Sequence, residues 1–224
     1  MFQNFNPIEL IIIIIPLLFA VTIHEVAHGY GALIMGDPTA KMAGRLSLNP
    51  IRHLDVFGSL LLPLALKLSG SPVVFGYAKP VPVNFSALRP FRAGTILVSS
   101  SGIFANFLVA ALSGGLTRII MLCHPWWAQT PAEAILLIMV QLLIYSVIIN
   151  LILAFFNLIP VPPLDGGRIL IALLPIHLQQ KLVRIQPFGM ILLILLLMTK
   201  SLDLFFSSFI NPLIQFLIGG IIRM

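Results

Sequence analysis

The chain has 224 residues, 59% of them hydrophobic and only 9% charged, with a mean hydropathy of +1.07. A soluble domain carries roughly 25% charged residues, so this chain cannot clothe itself in a water-facing surface. At about 20 residues per spanning helix, the length fits four to six helices in one membrane domain, residues 1–224. The net charge of +6 points to loops facing anionic lipid rather than to nucleic acid, and the lone Cys123 excludes an internal disulfide and any multi-cysteine metal cluster.

The first apolar segment, Ile8 to Met35, is long enough to span and has no small-residue cleavage site, which marks it as a retained helix. Val56 to Leu68 is apolar, interrupted by Pro63 and too short to cross, as expected of a re-entrant piece. Ser71 to Asn84, rich in Val, aromatics, Pro and Gly, predicts extended strands or a small β-hairpin after the first helix. Further spans are expected at Ala93 to Leu116, Ala132 to Phe156 and near Ile185 to Thr199, with Trp126 and Trp127 at an interface. Pro160, Pro162 and Pro163, followed by Gly166 and Gly167, forbid a regular helix after the third span. A last apolar stretch, Leu202 to Ile222, is broken by Asn211 and Pro212. The fold class is an all-α polytopic membrane protein.

Basic residues set the orientation. Lys41, Arg45, Arg52, Lys67, Lys79, Arg89, Arg92, Arg168, Lys181 and Arg184 fall on one side, ten of the 13 in the chain. That side should be cytoplasmic, with the amino terminus outside.

Ionisable side chains within a span are costly and default to function. The first helix holds His24, Glu25 and His28 in TIHEVAHGYG. Residues four apart share a helix face, so both imidazoles reach one ion, and Glu25 stands beside them to act on water. This is the HExxH arrangement of zinc metalloproteases. Two histidines leave a catalytic zinc short of its usual three protein ligands. Asp165 follows the proline-broken segment at the end of a span, and irregular backbone at membrane depth lines protein or a wet cavity. It is either the third ligand or a turn residue in LDGG.

HEVAHG, NPIRHLD, FGYAKPVPVN and above all NLIPVPPLDGGR resemble the site-2 protease family of intramembrane zinc metalloproteases, in its compact bacterial form without a PDZ or CBS domain. The resemblance implies one Zn²⁺ per chain held by His24, His28 and Asp165, Glu25 as general base, and Asn157 holding the substrate or stabilising the oxyanion. It implies transmembrane protein substrates cut within or near their spans, in regulated proteolysis at the bacterial inner membrane, with the active site toward the cytoplasm. SGIFAN departs from the family's pattern: Ile103 stands where Pro is expected, while Gly102 and Asn106 are kept.

The competing class is a metal-binding membrane transporter, or an inactive homologue that binds membrane partners, since transporters also use broken helices with buried His and Asp. Transport has no need of a carboxylate in HExxH spacing, so Glu25 favours the enzyme. His53 either touches the site or bonds Asp55 or the backbone. His124 and His177 read as solvated loop residues, Asn106 and Asn150 as hydrogen-bonders between helices, and Gly114 and Gly115 as sites of close helix packing.

Overall fold

The computed structural model describes residues 7–61, 78–186 and 206–219, with the isolated positions 189, 192 and 195. Three helices among these residues are long and apolar enough to cross a membrane: α1 (Pro7–Ile34), α3 (Phe91–Leu122) and α5 (Glu133–Leu158). Around them lie the short α2 (Thr39–Met42) and α4 (His124–Trp127), then α6 (Asp165–Leu173), α7 (Ile176–Ile185) and α8 (Asn211–Ile218).

Each long helix buries one stripe and leaves the rest apolar. On α1 the buried face includes Ile12, Pro16, Ala20, His24, His28 and Ala32, four residues apart along one row, with Thr22, Val26, Gly29 and Gly31 beside them, and it holds both histidines inward. Ile13, Ile14 and Phe19 on its other sides are exposed, as a lipid-facing surface requires. The buried residues of α3 are mostly small, among them Gly94, Ser99, Gly102, Ala110, Ser113 and Gly114, so neighbouring helices approach its backbone closely. α3 accordingly packs against α1, α5, α6 and α8. On α5, Val140, Ile144, Val147 and Leu151 meet Ile210, Ile214 and Ile218 of the last apolar segment in one core cluster.

Several expectations change. The span count falls short of four to six among the described residues: the apolar helix Ser207–Ile218 is too short to cross, and most of Ile185 to Thr199 lies outside them. Asn211 and Pro212 do not break that last segment but open α8, where a missing amide is harmless. Of the re-entrant piece, only a π-helical turn at Val56–Leu61 is described. The expected hairpin is not found. Its first half lies outside the described residues, and residues 78–84 run without helix, turn or ladder partner. The reason is local: Pro80 and Pro82 have no N–H, and the amides of Lys79, Val81 and Asn84 are taken by the His53 carbonyl, the Glu25 carboxylate and the Asp37 carboxylate. The segment is a strap tied to α1 and the loop after it, not a sheet.

Asp37 is the strap's main anchor. It is 1% exposed, accepts the Thr39 hydroxyl and the Thr39 amide (3.0 Å) on one oxygen, and accepts the Asn84 amide (2.6 Å) on the other. Burial alone would raise this carboxyl, but the Thr39 and Asn84 donors outweigh it and hold it below the usual carboxylate range. A depressed folded-state pKa stabilises the fold above the ordinary carboxylate value of about 3.9, and that contribution is lost as pH falls through the folded value. Asp37→Ala should lower stability at pH 7 by about 1–3 kcal/mol, having left two amides unmet. Thermal unfolding in micelles checks this: the gap between wild type and variant should narrow as pH falls below the ordinary carboxylate range, because the wild type then loses the contribution of its ionised Asp37.

Candidate metal centre

His24 and His28 lie one turn apart on the buried stripe of α1, 8% and 7% exposed, with their rings edge to face at 4.5 Å. The third group arrives from far along the chain. α5 ends at Leu158, the proline-rich residues 159–164 turn the chain, and α6 restarts it at Asp165, which is 5% exposed. That turn is tight: a Cβ on Gly166 would collide with the Leu158 carbonyl, and one on Gly167 with the Pro162 nitrogen. The glycines of LDGG therefore let the first turn of α6 lie directly on the returning backbone. Asp165 opens the first turn of α6 and also reaches the histidines.

Asp165 Oδ2 stands 3.2 Å from His24 Nε2 and 3.0 Å from His28 Nε2, and the two Nε2 atoms are 3.0 Å apart. The outer nitrogens show which atoms carry protons. His28 Nδ1 donates to the Val98 carbonyl at 2.7 Å. Asn106 gives its Nδ2 to the Ala20 carbonyl, so its Oδ1, 2.6 Å from His24 Nδ1, must accept from that ring. With both Nδ1 protons so used, each ring in its neutral form, the form that binds a metal, turns an Nε2 lone pair toward the other ring and toward a carboxylate. Asp165 Oδ2 is buried and has no hydrogen-bond partner. One proton cannot serve three acceptors, whereas one cation can. A tetrahedral zinc with ligands at about 2.0–2.1 Å holds them roughly 3.3 Å apart, close to the spacings here. The donor set fits zinc in chemistry and in size.

The remaining groups fall around this centre. Glu25, half-buried beside His24, accepts the Val81 amide of the strap at 2.8 Å. Asn157, near the end of α5, gives its Nδ2 to the Leu153 carbonyl one turn back at 3.0 Å. Arg168 places a guanidinium nitrogen 3.8 Å from Asp165 Oδ1 and lies over the Phe85 ring of the strap at 5.1 Å. His53 is not a ligand: buried in its loop, it donates Nε2 to the Ser47 carbonyl at 2.8 Å, the backbone alternative. His177 is exposed, but His124 is half-buried, packed edge-on against Trp127 at 4.6 Å.

Two residues matter more than the sequence suggested. Asn106 bonds between helices as expected, yet its partner is His24, one of the three groups that could hold a metal. Gly102 is the floor of the site: a Cβ there would stand 2.6 Å from His28 Nε2 and 2.7 Å from His24 Cε1. Both belong to SGIFAN, where a Gly and an Asn four apart on one helix face were the available signal. The Val98 carbonyl, being backbone, left no signal at all.

Fold and site together define a membrane-spanning protein whose HExxH histidines meet a distant carboxylate in a group able to hold a metal ion. Residues 115–199 match Peptidase family M50. YwhC of Bacillus subtilis, named as a zinc metalloprotease, is 36% identical over 193 residues, which cover 84% of this chain and 80% of that protein. Rip2 of Mycolicibacterium smegmatis, also named as a zinc metalloprotease, is 28% identical over 200 residues, 89% of this chain and 71% of Rip2. No solved structure matches the chain. The chain belongs to Peptidase family M50, the site-2 protease family of intramembrane zinc metalloproteases.

Gly102→Ala should strip zinc from the purified protein by pushing both imidazoles out of register. Gly115→Ala, on the same helix but with nothing within 4 Å of the added methyl, should keep it. Metal analysis of the two variants separates a ligand-floor role from a general effect of alanine on α3, and it also tests the expectation of close packing, which holds at Gly114 against Leu217 and not at Gly115.

Proposed function

We propose that this family M50 member cuts the transmembrane segments of other membrane proteins at a zinc centre held by His24, His28 and Asp165. The observation that carries the reading is the convergence of two Nε2 lone pairs and an unpartnered carboxylate oxygen within 3.2 Å of one another, beside Glu25. Zinc supplies a Lewis acid that polarises the scissile carbonyl and lowers the pKa of water.

The chain's own residues do the rest. Glu25 takes the proton of the attacking water and returns it to the leaving amine, so that one carboxylate serves as base and then as acid. The Val81 amide fixes one of its oxygens and leaves the other for that work. Asn157 lies just before the break at residues 159–164; releasing its Nδ2 from the Leu153 carbonyl would let it donate to the oxyanion or to the substrate backbone. The reading as a transporter has less support, because it leaves Glu25 without a task.

Orientation follows from the basic residues. α2, the strap and the start of α6 carry Lys41, Lys79, Arg89 and Arg168 and face the cytoplasm of a bacterial inner membrane, with the amino terminus outside. His28 precedes the end of α1 at Ile34 by six residues, about 9 Å along the helix at 1.5 Å per residue, which supports a centre close to that end of the span. Water and the unwound substrate enter from the cytoplasmic side.

Two experiments test these statements. With purified protein and a panel of single-span membrane substrates, Glu25→Gln should abolish cleavage and keep zinc, while His24→Ala, His28→Ala or Asp165→Ala should lose both; near-normal turnover by the Gln variant would remove Glu25 from the chemistry. In a Cys123→Ser background, cysteine at Met42, 82% exposed, should react with a membrane-impermeant thiol reagent from the cytoplasmic face, and cysteine at Trp126, 87% exposed, from the outer face. The opposite pattern would invert the topology.

A further inference from the structure

The buried polar groups of the molecule do not end at the zinc ligands. Behind His24 a chain of side chains runs between α3 and α5: Asn106, Asn150, Ser146 and Ser113, none of them ionisable, all inside the spans. We propose that Asn150 is a positioning residue of the zinc centre, holding the Asn106 amide in the one orientation that makes His24 a ligand.

Each step follows from which atoms can donate. Asn150 Nδ2 donates to the Ser146 carbonyl at 2.8 Å, which leaves its Oδ1 as the group facing α3. That oxygen accepts Asn106 Nδ2 at 2.7 Å, a shorter bond than the one the same Nδ2 makes to the Ala20 carbonyl at 3.2 Å. Asn106 Oδ1 is thereby turned to His24, whose Nδ1 donates to it, and the lone pair of that ring stays on Nε2 toward Asp165 and His28. Were the Asn106 amide reversed, its NH₂ would face Nδ1, the ring proton would move to Nε2, and His24 would be closed to a metal. Reversal is opposed by two oxygens, from Ala20 and Asn150, that the Asn106 carbonyl would then face. Asn106 is 0% and Asn150 1% exposed, so no solvent is at hand to satisfy either amide in the wrong orientation. Asn150 touches no ligand itself; it acts through Asn106. The further hydroxyl pair, Ser146 and Ser113 at 2.9 Å, braces the helices one turn on and is not needed for the orientation.

The inference rests on His24 being a metal ligand, and the test separates the two. Zinc-loaded full-length protein is titrated with a chelator to give apparent zinc affinity, and the melting temperature of the metal-stripped form is taken alongside. Asn150→Leu, close in size and without polar atoms, should weaken zinc binding about tenfold or more, as loss of an outer partner does elsewhere. Asn150→Ser, which can still bond its own helix but is too short to reach Asn106, should show the same loss and serves if the Leu variant does not fold. Ser113→Ala, which removes the hydroxyl pair and leaves both amides in place, should hold zinc as the wild type does, and the stripped forms of the Ser variants should melt alike. His24→Ala that kept full zinc would defeat the ligand assignment. His24→Ala that lost zinc while Asn150→Leu and Asn150→Ser bound it normally would overturn the role of Asn150, as would equal losses in Ser113→Ala and the Asn150 variants.

Discussion

Three lone pairs pointed at one another in a protein interior make an arrangement that nothing in the apolar chain can relieve. Two imidazole nitrogens and a carboxylate oxygen lie 3.0–3.2 Å apart, in surroundings where a polar atom left unmet by a proton or a cation costs several kcal/mol. Much of the remaining structure is what is required to hold them there. α1 supplies two of them only because its buried stripe has a four-residue spacing. α6 supplies the third only because two glycines let its first turn sit on the backbone it has just left. α3 supplies the acceptors, Asn106 and the Val98 carbonyl, that hold the proton of each neutral ring on its outer nitrogen, and at Gly102 it supplies the missing side chain that leaves room for both rings.

That division of labour explains why so small a protein can be so apolar and still hold a polar reaction centre. In lipid there is no hydrophobic gain from pressing helices together, so close approach and hydrogen bonds must do it. α3 does both along one face. Toward its amino-terminal half the small residues seat the ligands; further on, Ser113 bonds Ser146, and Gly114 admits Leu217. The residues that organise the site and those that hold the bundle together are thus neighbours on one helix, which ties the geometry of the metal ligands to the packing of α5 and α8.

What could be read from the sequence was what is local. HExxH spans five residues of one helix, and helical spacing alone puts both histidines on one face. Asp165 was legible only as one of two readings, because a turn residue before glycine looks the same whether or not it reaches back to α1; the family resemblance, not the spacing, singled it out. Asn106 and Asn150 were visible as polar residues in spans, but their partners depend on the rotation of three helices about their axes, which no local pattern encodes. The strap was misread as a hairpin for a physical reason. Its Val and Pro content does favour extended backbone, but strand pairing needs amides, and among the described residues those of Lys79, Val81 and Asn84 are committed to the His53 carbonyl, Glu25 and Asp37.

The strap therefore does what a sheet edge would not. It is tied at Asn84 to Asp37, at Arg89 to the Met35 carbonyl and at Lys79 to Arg45 and His53, so three anchors fix its path past the end of α1. Between them Val81 presents its amide to Glu25, and Phe85 lies against Arg168, whose guanidinium faces the outer oxygen of Asp165. One stretch of chain thus touches Glu25 on one side of the candidate metal centre and, through Arg168, Asp165 on the other. A carboxylate that must accept a proton and return it gains by having one oxygen held still while the other works. Backbone amides are suited to that hold, because they cannot themselves titrate, and the prolines on either side of Val81 limit the freedom of the peptide that carries the donor.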